Sequence, residues 1–161
     1  MPKKAEAERE AGAAALAFER LARLMRADEF AGGMNPAQRE ALRYVARANR
    51  FSNSPRALTQ YLGATKGTIS QTLSALERKG FVAKSEREGE RRSIALVLTD
   101  AGRAALEGDP VAKLTKAIAD LGGKTRRRLE KGLSELLEAQ LAEGSRQSFG
   151  NCLTCRYFRE G

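Results

Sequence analysis

The sequence predicts a mainly α-helical chain with one small β-hairpin set near its middle. Three observations carry this. Leu and Ala recur at helical spacing in segments punctuated by Gly, Asn-Pro and Ser-Pro. Residues 81–98 instead read as two extended runs around a charged tip. Aromatics are only 6% of the chain and Trp is absent, which disfavours an aromatic-rich all-β core. The order helix, Gly-containing turn, helix, hairpin with a basic tip is that of a winged helix-turn-helix.

Taken in order, residues 6–28 read as a long helix. They are mostly Ala, Glu, Arg and Leu without Pro, and Leu16, Leu21, Leu24 and Met25 return near one face. Ala31-Gly32-Gly33 ends it. Asn35 is placed to cap the next helix and Pro36 suits its first position. Leu42, Val45 and Ala46 give that helix an apolar face, up to about Asn49. Ser54-Pro55 repeats the start signal before a short helix with Leu58 and Leu62, and Gly63 stops it. Thr65 caps a fourth helix, running to about Lys79 with Ile69, Leu73 and Leu76 on one face, and Gly80 stops it.

Residues 81–85 are strand-like, 86–92 form a charged tip containing Gly89, and 93–98 form a second strand. Ile94, Leu96 and Leu98 alternate there, as in a half-buried strand. Thr99-Asp100 starts the next helix. Val111, Leu114, Ile118 and Leu121 stripe another helical stretch, and Gly122-Gly123 breaks it. Leu129, Leu133, Leu136, Leu137 and Leu141 stripe a final long helix that Gly144 ends.

Four segments are expected: an N-terminal dimerisation helix (1–33), the winged helix-turn-helix (34–98), C-terminal dimerisation helices (99–144) and a Cys-containing tail (145–161). The outer stripes are longer than the small central core needs. A two-fold dimer is the simplest partner for them, and a helical layer folded back on its own chain is the alternative.

His is absent, which removes Ser-His-Asp and Cys-His catalysis, His-ligated metals and His-based pH switching. No Gly-rich phosphate loop, paired catalytic carboxylates or nucleophile-base motif is seen, so an enzyme is not expected. With 29 Lys+Arg against 20 Asp+Glu, the +9 charge points to a polyanion, either nucleic acid or an anionic membrane face. No apolar run approaches the roughly 20 residues of a membrane span. Lys3 and Lys4 mix with Glu6, Glu8 and Glu10 and no apolar stretch follows, so no secretory signal is expected and the cytoplasm is the expected compartment.

With Ile69, Leu73 and Leu76 inward, Lys66, Ser70, Gln71 and Ser74 point outward, and Thr65, Gly67 and Thr68 lie at the helix's N-terminal turn. Small polar residues there allow close groove approach, and a helix N-terminus favours phosphate. Gln71 suits bidentate pairing with adenine. Arg87, Arg91 and Arg92 crowd the hairpin tip among Glu86, Glu88 and Glu90, and Arg56 is a further phosphate candidate. The densest basic cluster, Lys124, Arg126, Arg127, Arg128 and Lys131, reads first as a solvated face and second as a contact to flanking DNA.

Residues 65–82, Thr65-Lys66-Gly67-Thr68-Ile69-Ser70-Gln71-Thr72-Leu73-Ser74-Ala75-Leu76-Glu77-Arg78-Lys79-Gly80-Phe81-Val82, resemble the recognition helix and first wing strand of the MarR family. Residues 90–102 are similar to its second wing strand and the following helix start: an acid two before a wing arginine, alternating residues, then L-T-x-x-G. The resemblance spans about Asn35 to Leu141. It departs at Glu90, usually Asp, and at Gln71, often Arg. It implies a homodimeric transcriptional regulator on pseudo-palindromic double-stranded DNA, a repressor in the expected case. Each recognition helix would enter a major groove, and each wing would lie near a minor groove. Arg92 matches the wing arginine, which implies phosphate or minor-groove contact, with Glu90 able to aim it or pair with it. The resemblance also implies a small-molecule effector, often an anionic phenolic, between the dimer helices and the winged helix.

Cys152 and Cys155 form a C-x-x-C in the tail, a spacing that suits one metal or a local disulfide. Arg156 stands where haem c attachment needs His. Two thiolates are half a tetrahedral site. Two tails of a dimer, or ligands beyond Gly161, would complete one holding Zn or an iron–sulfur cluster. A redox disulfide and an inert pair are the alternatives. The rival to DNA binding is a winged-helix protein-interaction module with a metal- or cluster-binding tail. RNA is less suited, since few aromatics offer stacking platforms.

Overall fold

The computed structural model describes residues 2–29, 33–87 and 90–143. Seven helices and two strands are placed among them: α1 (Pro2–Glu29), α2 (Pro36–Arg47), α3 (Pro55–Leu62), α4 (Lys66–Arg78), β1 (Val82–Arg87), β2 (Glu90–Leu98), α5 (Asp100–Glu107), α6 (Pro110–Ala119) and α7 (Gly123–Glu143).

The capping residues act as their chemistry dictates. Asn35 Oδ1 accepts from Gln38 N at 2.8 Å, Ser54 Oγ from Ala57 N at 3.2 Å and Thr65 Oγ1 from Thr68 N at 3.2 Å, each satisfying an otherwise orphaned first-turn donor. Pro36 and Pro55 occupy first-turn positions, where a missing N–H costs nothing. Gly63 ends α3 at φ 59° and Gly80 turns the chain from α4 into the hairpin at φ 71°, left-handed conformations that side chains other than Gly disfavour.

The core lies where α2, α3, α4 and the hairpin meet. Leu42, Leu58, Leu76 and Leu96 are fully buried there, with Ala41, Tyr44, Val45, Ile69, Leu73 and Val82 around them. Ala105 and Leu106 of α5 pack against the same cluster. β1 and β2 pair antiparallel from Val82↔Leu98 to Glu86↔Ile94, with a slip between Glu86 and Arg87 that sets Arg87 opposite Glu90. Asn53 O accepts from Leu96 N at 2.7 Å, so the α2–α3 connection also borders β2. Tyr44 secures that connection by donating to Ser52 O at 2.8 Å.

The structure corrects several sequence expectations. Both strands run further into the charged tip than 81–85 and 93–98 allow. Ladder hydrogen bonds come from the backbone, so a charged run can pair as well as an apolar one. Ile94 is exposed although Leu96, two residues on, is buried, because the hairpin projects past the core. Ala46 is exposed, and Ala41 and Tyr44 fill the α2 face instead. The first helix begins at Pro2 and α2 ends at Arg47, near Ala48, which carries the extended cap conformation.

α1 packs against α6 and reaches α2. Much of the apolar surface of the outer helices stays uncovered by this chain: Leu16, Phe18, Leu21 and Leu24 of α1, and Leu133, Leu136 and Leu137 of α7, are all exposed. No described helix is long and apolar enough to cross a membrane.

Candidate nucleic-acid interface

α4 is seated by Ile69, Thr72, Leu73 and Leu76, all buried. That fixes what it shows outward. Lys66, Thr68, Ser70, Gln71 and Ser74 are exposed, as is Thr65 at the cap. Gly67, Gln71, Ser74 and Arg78 recur at i, i+4, i+7 and i+11, the stripe opposite the buried face. A Cβ at Gly67 would meet only Thr65 Oγ1, at 3.8 Å, so that end of the stripe is open backbone. The hydroxyls of Thr65 and Thr68 are 2.9 Å apart and gather at the positive end of the helix dipole. This surface can lie in a groove, with small groups at its N-terminal end and an amide and a guanidinium further along.

The hairpin is tied to α4 beside that face. Lys84 Nζ donates to Glu77 Oε2 at 2.7 Å, joining β1 to the last turn of α4. Thr99 holds the far end: its Oγ1 donates to Gly80 O at 2.6 Å and accepts from Gly102 N at 3.0 Å. The wing therefore starts and ends on the segment that closes the recognition helix.

The sequence-derived residues divide accordingly. Thr65, Lys66, Thr68, Ser70, Gln71 and Ser74 share one exposed helix surface, and Arg56 is exposed in the first turn of α3. Arg87 ends β1, and Arg91 and Arg92 lie in β2. The side chains of those three arginines lie outside what the structure describes, as does any pairing of Arg92 with Glu90. Cys152 and Cys155 lie outside the described residues. Among the described residues no three His, Cys, Asp or Glu side chains gather as a metal site.

The α7 cluster has partners of its own. Arg126 Nη1 donates to Ala119 O at 3.0 Å and Leu121 O at 3.2 Å, capping the end of α6. Lys131 stands 3.7 Å from Glu135, one turn on. Arg126 thus has a structural role at the α6–α7 junction, while Lys124, Arg127 and Arg128 are exposed.

Two features escaped the sequence reading. Arg78 belongs to the outward stripe of α4, and extending the helical period one more turn from Ser74 finds it. The second is a buried ionic cluster: Asp109, Arg39 and Arg43, where Asp109 Oδ2 is 3.1 Å from Arg43 Nη1 and 3.7 Å from Arg39 Nη1. The partners are 66 and 70 residues apart in sequence, so no local pattern signals them.

Residues 32–93 match the MarR family model, a span that contains α2, α3, α4, β1 and the first part of β2. No curated protein matches the chain. Among solved structures, Streptococcus pneumoniae FabT in complex with DNA is similar at 22% identity and a TM-score of 0.62, over 83% of this chain and 96% of that one. A MarR transcriptional regulator from Methanosarcina mazei Go1 is similar at 23% identity and 0.59, over 80% and 96%. The S. aureus MepR-DNA complex is similar at 17% and 0.58, over 78% and 96%. The chain thus shares the winged-helix fold of those structures.

Proposed function

We propose that the chain is a MarR-family transcriptional regulator that binds double-stranded DNA as a homodimer. α4 enters the major groove with Gly67, Gln71, Ser74 and Arg78 toward the bases and Thr65, Lys66, Thr68 and Ser70 toward bases or phosphates at its start and flank. Arg87, Arg91 and Arg92 bring the hairpin tip against phosphate or a narrow minor groove, and Arg56 meets the backbone. The observation that carries this reading is the outward stripe of α4, polar and open at Gly67, on a helix fixed from behind by four buried residues.

The exposed apolar residues of α1 and α7 support the dimer, since a second copy would cover them. The proposal is completed by repression relieved by a small molecule or by a redox or metal signal at Cys152 and Cys155. The two thiolates of one chain are half of a tetrahedral set and His is absent, so a metal or cluster there takes both tails or ligands from elsewhere.

The test is a gel shift on promoter DNA near the protein's own gene, repeated across salt concentrations. A DNA-binding regulator gives a discrete complex whose affinity falls steeply with salt. No complex at low salt, together with capture of a protein partner, would establish the interaction module instead.

A further inference from the structure

Asp109 is 2% exposed, and the Arg39 and Arg43 side chains beside it are 4% and 14% exposed. Asp109 is also the N-cap of α6: its Oδ1 accepts from Val111 N at 2.8 Å and from Arg43 Nη1 at 3.3 Å. Both arginines stand one turn apart on α2. The α6 end of the outer arm is therefore fixed to α2 by the charge-assisted hydrogen bonds of Arg43 and by the Arg39–Asp109 ion pair, where apolar packing alone would let helices slide.

The same turn of α2 holds the recognition helix. Lys79, the C-cap of α4, donates through Nζ to Gln38 Oε1 at 2.8 Å and to the carbonyl of Gly33. Gln38 and Arg39 are neighbours. One side chain meets the end of α4 and the other meets the start of α6. Ala41 and Leu42, fully buried behind them, make α2 a rigid member between the two.

We infer that Asp109, Arg39 and Arg43 are positioning residues: they set the angle between α6 and α2, and so the separation of the two recognition helices in the dimer. This rests on the proposed DNA-binding dimer. Removing the ionic cluster lets the arm and the winged helix rotate against each other, and the protein then accepts operators of more than one spacing. A cluster that only stabilises the fold would weaken binding to all spacings alike.

The test uses duplexes carrying two copies of the half-site that the full chain selects from random DNA, at the selected separation and at separations up to 2 bp shorter or longer. A 2 bp change turns one half-site by about 70° around the duplex, which costs the wild type on the order of tenfold or more in affinity. The variant is Arg39→Met/Arg43→Met/Asp109→Asn. It removes the Asp109 charge together with those of both arginines, and Asn keeps the α6 cap. The expected result is a folded dimer with wild-type affinity for a single half-site and a spacing preference reduced to about threefold or less. Arg43→Met, which removes both Nη1 hydrogen bonds and leaves Arg39 as the ionic partner of Asp109, supplies the same readout if the triple variant does not fold, and the same broadening is expected. A wild type with a sharp preference that the folded variants share overturns the inference alone. A wild type that binds DNA with no preferred spacing, or fails to bind, overturns the dimeric DNA reading and the inference with it.

Discussion

Gly102 lies so close to Phe81 that a Cβ on it would stand 2.2 Å from the Phe81 carbonyl oxygen and 2.8 Å from Leu98 Cδ1. This gives a physical meaning to the Leu98-Thr99-x-x-Gly102 run. Thr99 caps α5 and clasps Gly80, Thr99 N donates to Phe81 O at 3.2 Å, and Gly102 lets the first turn of α5 press onto the chain leaving the recognition helix. Gly102→Ala therefore destabilises the fold by at least about 1–3 kcal/mol, the scale of an overpacked site whose obstacle is backbone. Chemical denaturation of the two proteins measures it, and equal midpoints would refute the close packing.

Gly67 has the opposite environment. Its Cβ position is open, so Gly67→Ala leaves the fold unharmed and firms the helix by up to about 0.5–1 kcal/mol. DNA binding weakens all the same, because the added group stands on the groove-facing stripe. Thermal melts and DNA titrations of one preparation show both effects. A Gly67→Ala protein with higher stability and undiminished affinity would mean that this end of α4 does not approach DNA closely.

Gln71 and Arg78 on one side and Arg92 on the other separate two kinds of contact. Gln71→Ala relaxes specificity at about one base pair, by about 1–3 kcal/mol. Arg92→Ala weakens binding to most sequences and lowers the salt slope by about 1. Arg78→Ala, on the same stripe as Gln71 but further along it, lowers affinity for the selected site more than for random DNA. Equal losses on specific and random DNA for Gln71→Ala would remove it from base reading.

Leu24 is 67% exposed and Leu137 is 60% exposed, too much for core residues of a lone chain. Leu24→Glu/Leu137→Glu yields a folded monomer in sedimentation while the winged-helix core keeps its helicity, because neither side chain enters that core. A double variant that still sediments as a dimer would place the dimer contact on another surface.

Much of this was legible from residues with local meanings. Asn35, Ser54, Thr65 and Thr99 each cap a helix because a side-chain oxygen reaches the N–H three residues on. Gly63 and Gly80 mark turns because of their positive φ. Ile69, Leu73 and Leu76 gave the buried face of α4 and hence its outward face. What stayed hidden was non-local or backbone-driven. The strands reach Arg87 and Glu90 because pairing needs no apolar side chains. No local pattern marks Arg39 as buried, because its partner Asp109 lies 70 positions later. Arg78 was hidden by its charge, which at the end of a helix reads as a favourable dipole contact as readily as a DNA contact.

The most direct test of the central claim is selection of bound duplexes from random DNA by the full chain, followed by measurement of affinity against salt for the winning sequence. A two-fold dimer of winged helices selects two inverted half-sites separated by about one helical turn, ~10 bp, with an affinity that falls steeply with salt. No enriched sequence, or an affinity indifferent to salt, would contradict it.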